Sequence, residues 1–267
     1  MLKDITLGQY FPIDSALHKL DARTKILMLL LQIVAIFLAR SVWAYAAVVL
    51  FTILTVILSK VPVRLYFKGL KPILFVLLFT AVLNLFLTDG KDLPVFGHSI
   101  GITVEGAILA VKMMLRLVLL IVTSSALTYT TSPMALTDGI EKLLKPLSKI
   151  GFPAHELAMM MSIAIRFIPT LIEETDKIIK AQQARGADFD TGSILKRAKA
   201  LIPMLVPLFI SAFRRADELA VAMESRCYRG GETRTRLREL AFTKRDALGW
   251  GIFILYFASL VTLNILF

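Results

Sequence analysis

The sequence predicts an all-α polytopic membrane protein with about five transmembrane helices, and three observations carry that reading. Of the 267 residues, 57% are hydrophobic and 19% charged, and the mean hydropathy is +0.72. Soluble domains run at about 45–50% apolar and about 25% charged. The apolar residues gather into runs long enough to cross a bilayer, which takes roughly 20 residues per helix. The 31 Lys and Arg, against 20 Asp and Glu, fall between those runs in an uneven pattern, and basic loops stay on the cytoplasmic side.

The first 25 residues carry mixed charge, with no short apolar core and no small-residue cleavage site, so they do not read as a signal peptide. Residues 26–58 are apolar except for Arg40. That is too long for one ordinary span, so the run divides at Arg40-Ser41 into a hairpin of two short spans. Residues 72–87 form a third span, 104–127 a fourth carrying Lys112 and Arg116, and 247–267 a fifth. Lys3, Lys19, Arg23 and Lys25 precede the first span. Arg40 alone joins the first two, and Lys60, Arg64, Lys68 and Lys71 join the second and third. Asp89, Lys91 and Asp92 fall in the loop before the fourth. Residues 128–246 hold 19 of the basic residues and 14 acids. The expected topology is therefore N-terminus and 128–246 cytoplasmic, with the Arg40 turn, the 89–103 loop and the C-terminus outside.

Residues 128–246 read as three helices. Ser132 before Pro133 opens a short amphipathic one, because proline at the first helical position loses no hydrogen bond. Leu136, Ile140, Leu143, Leu144 and Leu147 follow at helical spacing, and the helix stops near Pro146. The second helix runs from about residue 155 to 184, apolar first and charged later, with Pro169 as a kink and Gly186 as terminator. The third runs from about 193 to 226. Its apolar stretch, 201–213, contains Pro203 and Pro207 and is too short to span. Both long helices end at x-Arg-x tripeptides, with the arginines 41 positions apart. The chain thus divides into a four-span module (1–127), a coupling-helix module (128–246) and a terminal span (247–267).

The sequence holds no G-x-x-x-x-G-K-[ST] phosphate loop, no H-E-x-x-H, no Cys/His metal spacing and no G-x-S-x-G elbow. No catalytic residue, cofactor or metal is expected, and the basic surplus is not a nucleic-acid footprint. Glu105, Lys112 and Arg116 form the one intramembrane charge group, the coupling site of an alternative reading as a secondary transporter or channel. Asn84 is expected to bond between helices. Met160 and Met161 belong to a flexible Met run suited to several partners.

The residues resemble the transmembrane T component of energy-coupling factor transporters, prokaryotic importers of vitamins and metal ions. The likeness rests on four places. They are His18-Lys19-Leu20-Asp21-Ala22-Arg23-Thr24-Lys25, Thr131-Ser132-Pro133, Arg166-Phe167-Ile168-Pro169, and the two helix ends Ala184-Arg185-Gly186 and Ala222 to Tyr228. The resemblance implies a non-catalytic subunit in the cell membrane that joins two ATP-binding-cassette ATPases to a substrate-binding S component. It assigns ATPase docking to Ala184, Arg185 and Gly186 and to Ser225, Arg226 and Cys227. It gives the S-component surface and hinges to Met160, Met161, Pro169, Pro203 and Pro207. Ser225 and Cys227 depart from the family's Ala-Arg-Gly. Without glycine there is no easy route to positive φ, so the geometry at Arg226 stays open, with Gly230 as the alternative terminator.

Overall fold

A computed structural model describes residues 9–88, 92–95, 98–187, 193–228, 230 and 241–266. Lys3, Asp89, Lys91 and Gly231 lie outside the described residues. The chain forms two compact units, one of residues 9–139 and 240–267, the other of 140–239 with the first eight residues.

The first unit is a helical bundle. The long apolar run breaks at Arg40-Ser41 into α1 (Ala22–Leu38) and α2 (Val42–Ser59). Ser41 caps α2 by accepting from the Ala44 amide at 3.1 Å. Lys60 ends α2 in the left-handed region (φ 55°). The basic stretch that follows, expected as a loop, is instead a short amphipathic helix, α3 (Val63–Leu70). A 3-10 turn joins it to α4 (Leu74–Leu87). The loop expected before the fourth span contains a hairpin of β1 (Asp92–Val95) and β2 (His98–Thr103). Thr103 caps α5 (Val104–Thr130), and its hydroxyl donates to Thr88 O at 2.8 Å, tying the end of α4 to the start of α5. Gly106 is required there, since a Cβ would lie 2.9 Å from Asn84 O. Asn84 itself donates to Thr80 O within its own helix at 2.8 Å rather than between helices. The last helix of this unit, α9, spans Lys244–Leu266.

The core lies where α1, α2, α5 and α9 meet. It is built on Ile36, Val48, Leu119, Phe253 and Leu260, with Phe51 stacked on Tyr256 at 4.1 Å. Large apolar side chains cover the outside, among them Val42, Phe75 and Leu255. That is the surface a helix bundle presents to lipid.

A polar knot holds the basic ends of three helices. Asp246 is fully buried. One of its oxygens accepts from the Asp21 amide at 2.8 Å, and the other from the amide and hydroxyl of Thr243 at 2.9 and 2.6 Å. One carboxylate thus completes a capping box at α9 and satisfies the residue that caps α1, close to two positive helix N-termini. Asp21 also pairs with Arg23 at 2.7 Å. Lys25 donates to Thr130 O at 2.8 Å and Thr131 Oγ1 at 3.3 Å, capping the end of α5.

Beyond α5 comes α6 (Pro133–Leu144), started by Ser132 as expected and followed by a 3-10 turn through Ile150. In the second unit, α7 (Ala154–Ala184) and α8 (Ile194–Ser225) match the expected long helices to within a residue or two.

Among the described residues, five helical stretches are long and apolar enough to cross a membrane: Val42–Ser59, Val63–Leu87, Val104–Thr130, Ala154–Ala184 and Lys244–Leu266. The number matches the expectation but the membership differs. The expected first span, α1, has 17 residues, at the lower limit for spanning. The expected coupling helix α7 qualifies on its apolar first half, with a mean hydropathy of 1.3, the lowest of the five.

Removing the Asp246 carboxylate leaves the buried Asp21 amide and the part-buried Thr243 amide without acceptors. Asp246→Ala is expected to lower stability by about 3 kcal/mol or more, read as a fall in the thermal unfolding midpoint in detergent. Asp246→Asn, which keeps one acceptor oxygen, is expected to lose less.

Candidate functional site

The site is built from the two long helices of the second unit. They run antiparallel, and their contacts give the register. Gln182 of α7 meets Pro203 of α8, Glu174 meets Ser211 and Arg215, and Phe167 lies under Arg215. Glu174 pairs with Arg215 at 2.9 Å and also accepts from the Ser211 hydroxyl. The Arg215 guanidinium carbon sits 5.9 Å from the Phe167 ring centre.

The prolines do not interrupt the helices. α7 continues through Pro169, and α8 through Pro203 and Pro207. Proline has no amide hydrogen, so Pro207 leaves the carbonyl four residues earlier without its helical donor. That carbonyl belongs to Pro203, and Gln182 Nε2 of α7 donates to it at 3.3 Å. A defect in one helix thereby becomes a contact with the other.

The two helix ends share one backbone geometry. At α7, Arg185 is the C-cap (φ −89°, ψ 7°) and Gly186 follows with φ +87°. The Gly186 amide donates to Gln183 O at 2.9 Å, and the Ala187 amide to Gln182 O at 3.0 Å. At α8, Arg226 is the C-cap (φ −92°, ψ 14°) and Cys227 follows with φ +56°. Its amide donates to Glu224 O at 2.8 Å, and the Tyr228 amide to Met223 O at 3.0 Å. Both are Schellman endings of identical bonding. The open question at Arg226 is thus answered. The helix ends at Ser225 and Cys227 takes the left-handed position, while Gly230 (φ +90°) lies past the end. Left-handed geometry costs an ordinary side chain about 1 kcal/mol. Both arginines and their tripeptide neighbours are exposed.

Glu174 stands eleven residues before Arg185, and Arg215 stands eleven before Arg226. Each tip therefore lies about 17 Å of helix beyond the crossing, and the antiparallel pairing sends the two in opposite directions. The same offset of 41 relates Thr170 to Ser211, Asp176 to Asp217, Ile178 to Leu219 and Ala181 to Ala222. The two helices are a weak internal repeat. Comparing them position by position exposes it, whereas the separate reading of each helix missed both the repeat and the Glu174–Arg215 pair.

Before the crossing both helices carry exposed apolar side chains. Met160 and Met161 stand on α7, and Leu205, Phe209 and Phe213 on α8. Of the expected hinges, Pro169 and Pro203 are exposed and Pro207 is half-buried. Among the described residues, no group of three or more His, Cys, Asp and Glu could hold a metal ion.

Comparison with known proteins settles the kinship of the chain. Residues 14–237 match the family model described as cobalt transport protein. The energy-coupling factor transporter transmembrane protein EcfT of Ruminiclostridium cellulolyticum is 54% identical over the whole of both chains. The protein of that name in Clostridium kluyveri is 59% identical over 92% of each chain. In Bacillus subtilis it is 49% identical over 92% of this chain and 93% of that one. The chain belongs to the energy-coupling factor transmembrane family. It is a membrane-embedded component of a transporter complex of that class, and both arginine tips fall inside the matched region.

In the alternative coupling group, Lys112 and Arg116 make separate contacts. Lys112 reaches Arg40 O and Arg116 reaches the Tyr45 hydroxyl. None of Glu105, Lys112 and Arg116 lines the apolar cavity beside Gln32 or the open groove at Ser124.

Two measurements check the geometry. Cys227→Gly is expected to raise stability by about 0.5–1 kcal/mol, and Cys227→Val to lower it, since a branched side chain resists positive φ. A Glu174→Ala, Arg215→Ala double-mutant cycle is expected to give about 1 kcal/mol of coupling, read from unfolding midpoints.

Proposed function

We propose that this chain is the non-catalytic coupling subunit of an ATP-driven importer of vitamins or other micronutrients. Residues 184–186 dock on one ATP-binding-cassette ATPase and residues 225–227 on a second. Arg185 and Arg226 make the central contacts, and ATP is hydrolysed in those partners. A membrane-embedded S component sits against the apolar arms that carry Met160 and Met161, with Pro169, Pro203 and Pro207 letting that surface adjust.

The observation that carries this reading is the pair of matched tips. Two like ATPases offer two like sockets, and these helices present two arginines on the same backbone motif at equal distances from one crossing. An exposed guanidinium at a helix end can take a partner carboxylate through two parallel hydrogen bonds. Each helix is also a lever. The charged arm beyond the ion pair carries the arginine, and the apolar arm before it faces lipid or protein. A push at a tip turns the helix about Glu174 and Arg215 and moves the apolar arm the other way. Energy released at the ATPases would reach the membrane by that path, with no chemistry in this chain.

The same reading divides the chain into a four-span module (1–127), the coupling module (128–246) and a terminal span (247–267). It puts the N-terminus and the coupling module in the cytoplasm and the C-terminus outside a prokaryotic cell membrane. Support comes from the charges. Lys60, Arg64, Lys68 and Lys71 gather at one end of α2, with Arg40 at the other.

Arg185→Glu and Arg226→Glu, tested in the whole complex, are each expected to reduce ATPase co-purification and uptake, and the double substitution to abolish both. Normal uptake by the double variant at normal abundance would sink the docking assignment.

A further inference from the structure

Three cations gather at the α1–α2 turn. Lys112 and Arg116 stand one helical turn apart on α5, and Arg40 lies in the turn itself. Lys112 Nζ donates to Arg40 O at 3.4 Å. Arg116 Nη2 donates to the Tyr45 hydroxyl at 3.2 Å. Its guanidinium carbon lies 5.0 Å from the Phe37 ring centre, and Nη1 is 3.9 Å from Met113 Sδ. Arg116 Nε is buried with no acceptor. Asn264 of α9 accepts from the Arg40 amide at 3.1 Å, and the Arg40 side chain is exposed. Among the described residues, no carboxylate oxygen lies within 4 Å of any of the three cations. Glu105 stands seven residues from Lys112, about 10 Å along the helix.

The surroundings say what kind of anion is missing. Since Lys112 is level with the turn, α5 continues for eight more residues, about 12 Å, past the end of the hairpin. The three cations therefore lie on a ledge against the side of α5. Beyond them on α5, Ile108 and Val111 are 51% and 64% exposed, and at the turn Val42 and Trp43 are 76% and 60% exposed. Ile108 stands one turn beyond Lys112 on α5, and Val111, Val42 and Trp43 flank the cations, so the charges border exposed apolar surface. A cation at such a border is matched by an anion that can itself reside in the membrane. A lipid phosphate meets that requirement, and guanidinium and ammonium groups bind phosphate oxygens through charge-assisted bonds. Three positive charges with no acid beside them among the described residues favour a headgroup of net negative charge over a zwitterionic one.

We propose that Arg116 and Lys112, with Arg40 beside them, hold the phosphodiester headgroup of an anionic bilayer lipid on this ledge. Arg116 supplies a directed donor from Nη1, Lys112 a point charge, and the rings of Tyr45 and Phe37 keep the guanidinium aimed at the phosphate.

The test is native mass spectrometry of the full chain in its transporter complex, titrated with phosphatidylglycerol or phosphatidylcholine. Wild type is expected to retain phosphatidylglycerol preferentially. Arg116→Gln with Lys112→Gln is expected to lose about tenfold in affinity, the loss that removing a charged hydrogen-bond partner gives. Arg116→Lys is expected to keep most of the binding. If Arg116→Gln does not fold, Lys112→Gln alone is expected to weaken retention in the same direction. Equal retention by wild type and the folded variants overturns the proposal. So does displacement of the lipid by inorganic phosphate at millimolar concentration, which would make the ligand a free anion.

Discussion

Glu174 and Arg215 pair α7 with α8 at their crossing, and the position of both arginine tips depends on where that pair lies. The pair is about one-quarter exposed on each side, so water screens it only in part and its net contribution is modest. Its value is registration. Glu174 also takes the Ser211 hydroxyl, and Arg215 lies over Phe167. A slip by one helical turn would break all three contacts together. Because the two residues are equally far from their own C-caps, fixing this contact fixes two arms of equal length.

The helix ends turn that register into a surface. A Schellman ending stops a helix within one residue, so Arg185 and Arg226 leave their helices at the same angle to the axis. On α7 glycine makes this easy, whereas on α8 the chain tolerates a strained Cys227. The preserved bonding despite that strain means the geometry is set by the hydrogen bonds of the last turn and not by the residue that follows the arginine. The proline pair in α8 follows a similar logic. Pro203 and Pro207 weaken the helix internally, and Gln182 of α7 recovers one of the lost bonds. The helix is therefore softest on its apolar arm and firm on its charged arm.

Much of this was legible in the sequence. The break at Arg40-Ser41, the bounds of α5, α7, α8 and α9, and the start of α6 follow from apolar runs, caps and proline placement, which are local signals. The assignment of α1 over α7 among the apolar helices did not follow, because 17 residues sit at the length limit and a half-apolar helix of 31 exceeds it. Neither α3 nor the hairpin was expected, since loop reading gives charge and glycine more weight than a short amphipathic pattern. The knot at Asp246 joins residues 225 positions apart, and no periodicity reaches that far. At the candidate site the arginines were visible, but the contact that positions them required seeing that α7 and α8 repeat each other.

The fate of the cations separates two kinds of arginine in one chain. Arg185 and Arg226 stand exposed at helix ends. Such groups are ready for a partner and contribute little to the isolated fold. Arg116 stands on α5 beside exposed apolar surface, where an unpaired charge is costly, and among the described residues its neighbours are a ring, a hydroxyl and a thioether. Neutral groups of that kind orient a guanidinium without cancelling its charge. Asp21 does the opposite for Arg23, pairing with it directly at 2.7 Å. An oriented but uncancelled guanidinium is the arrangement that the proposed lipid phosphate would use.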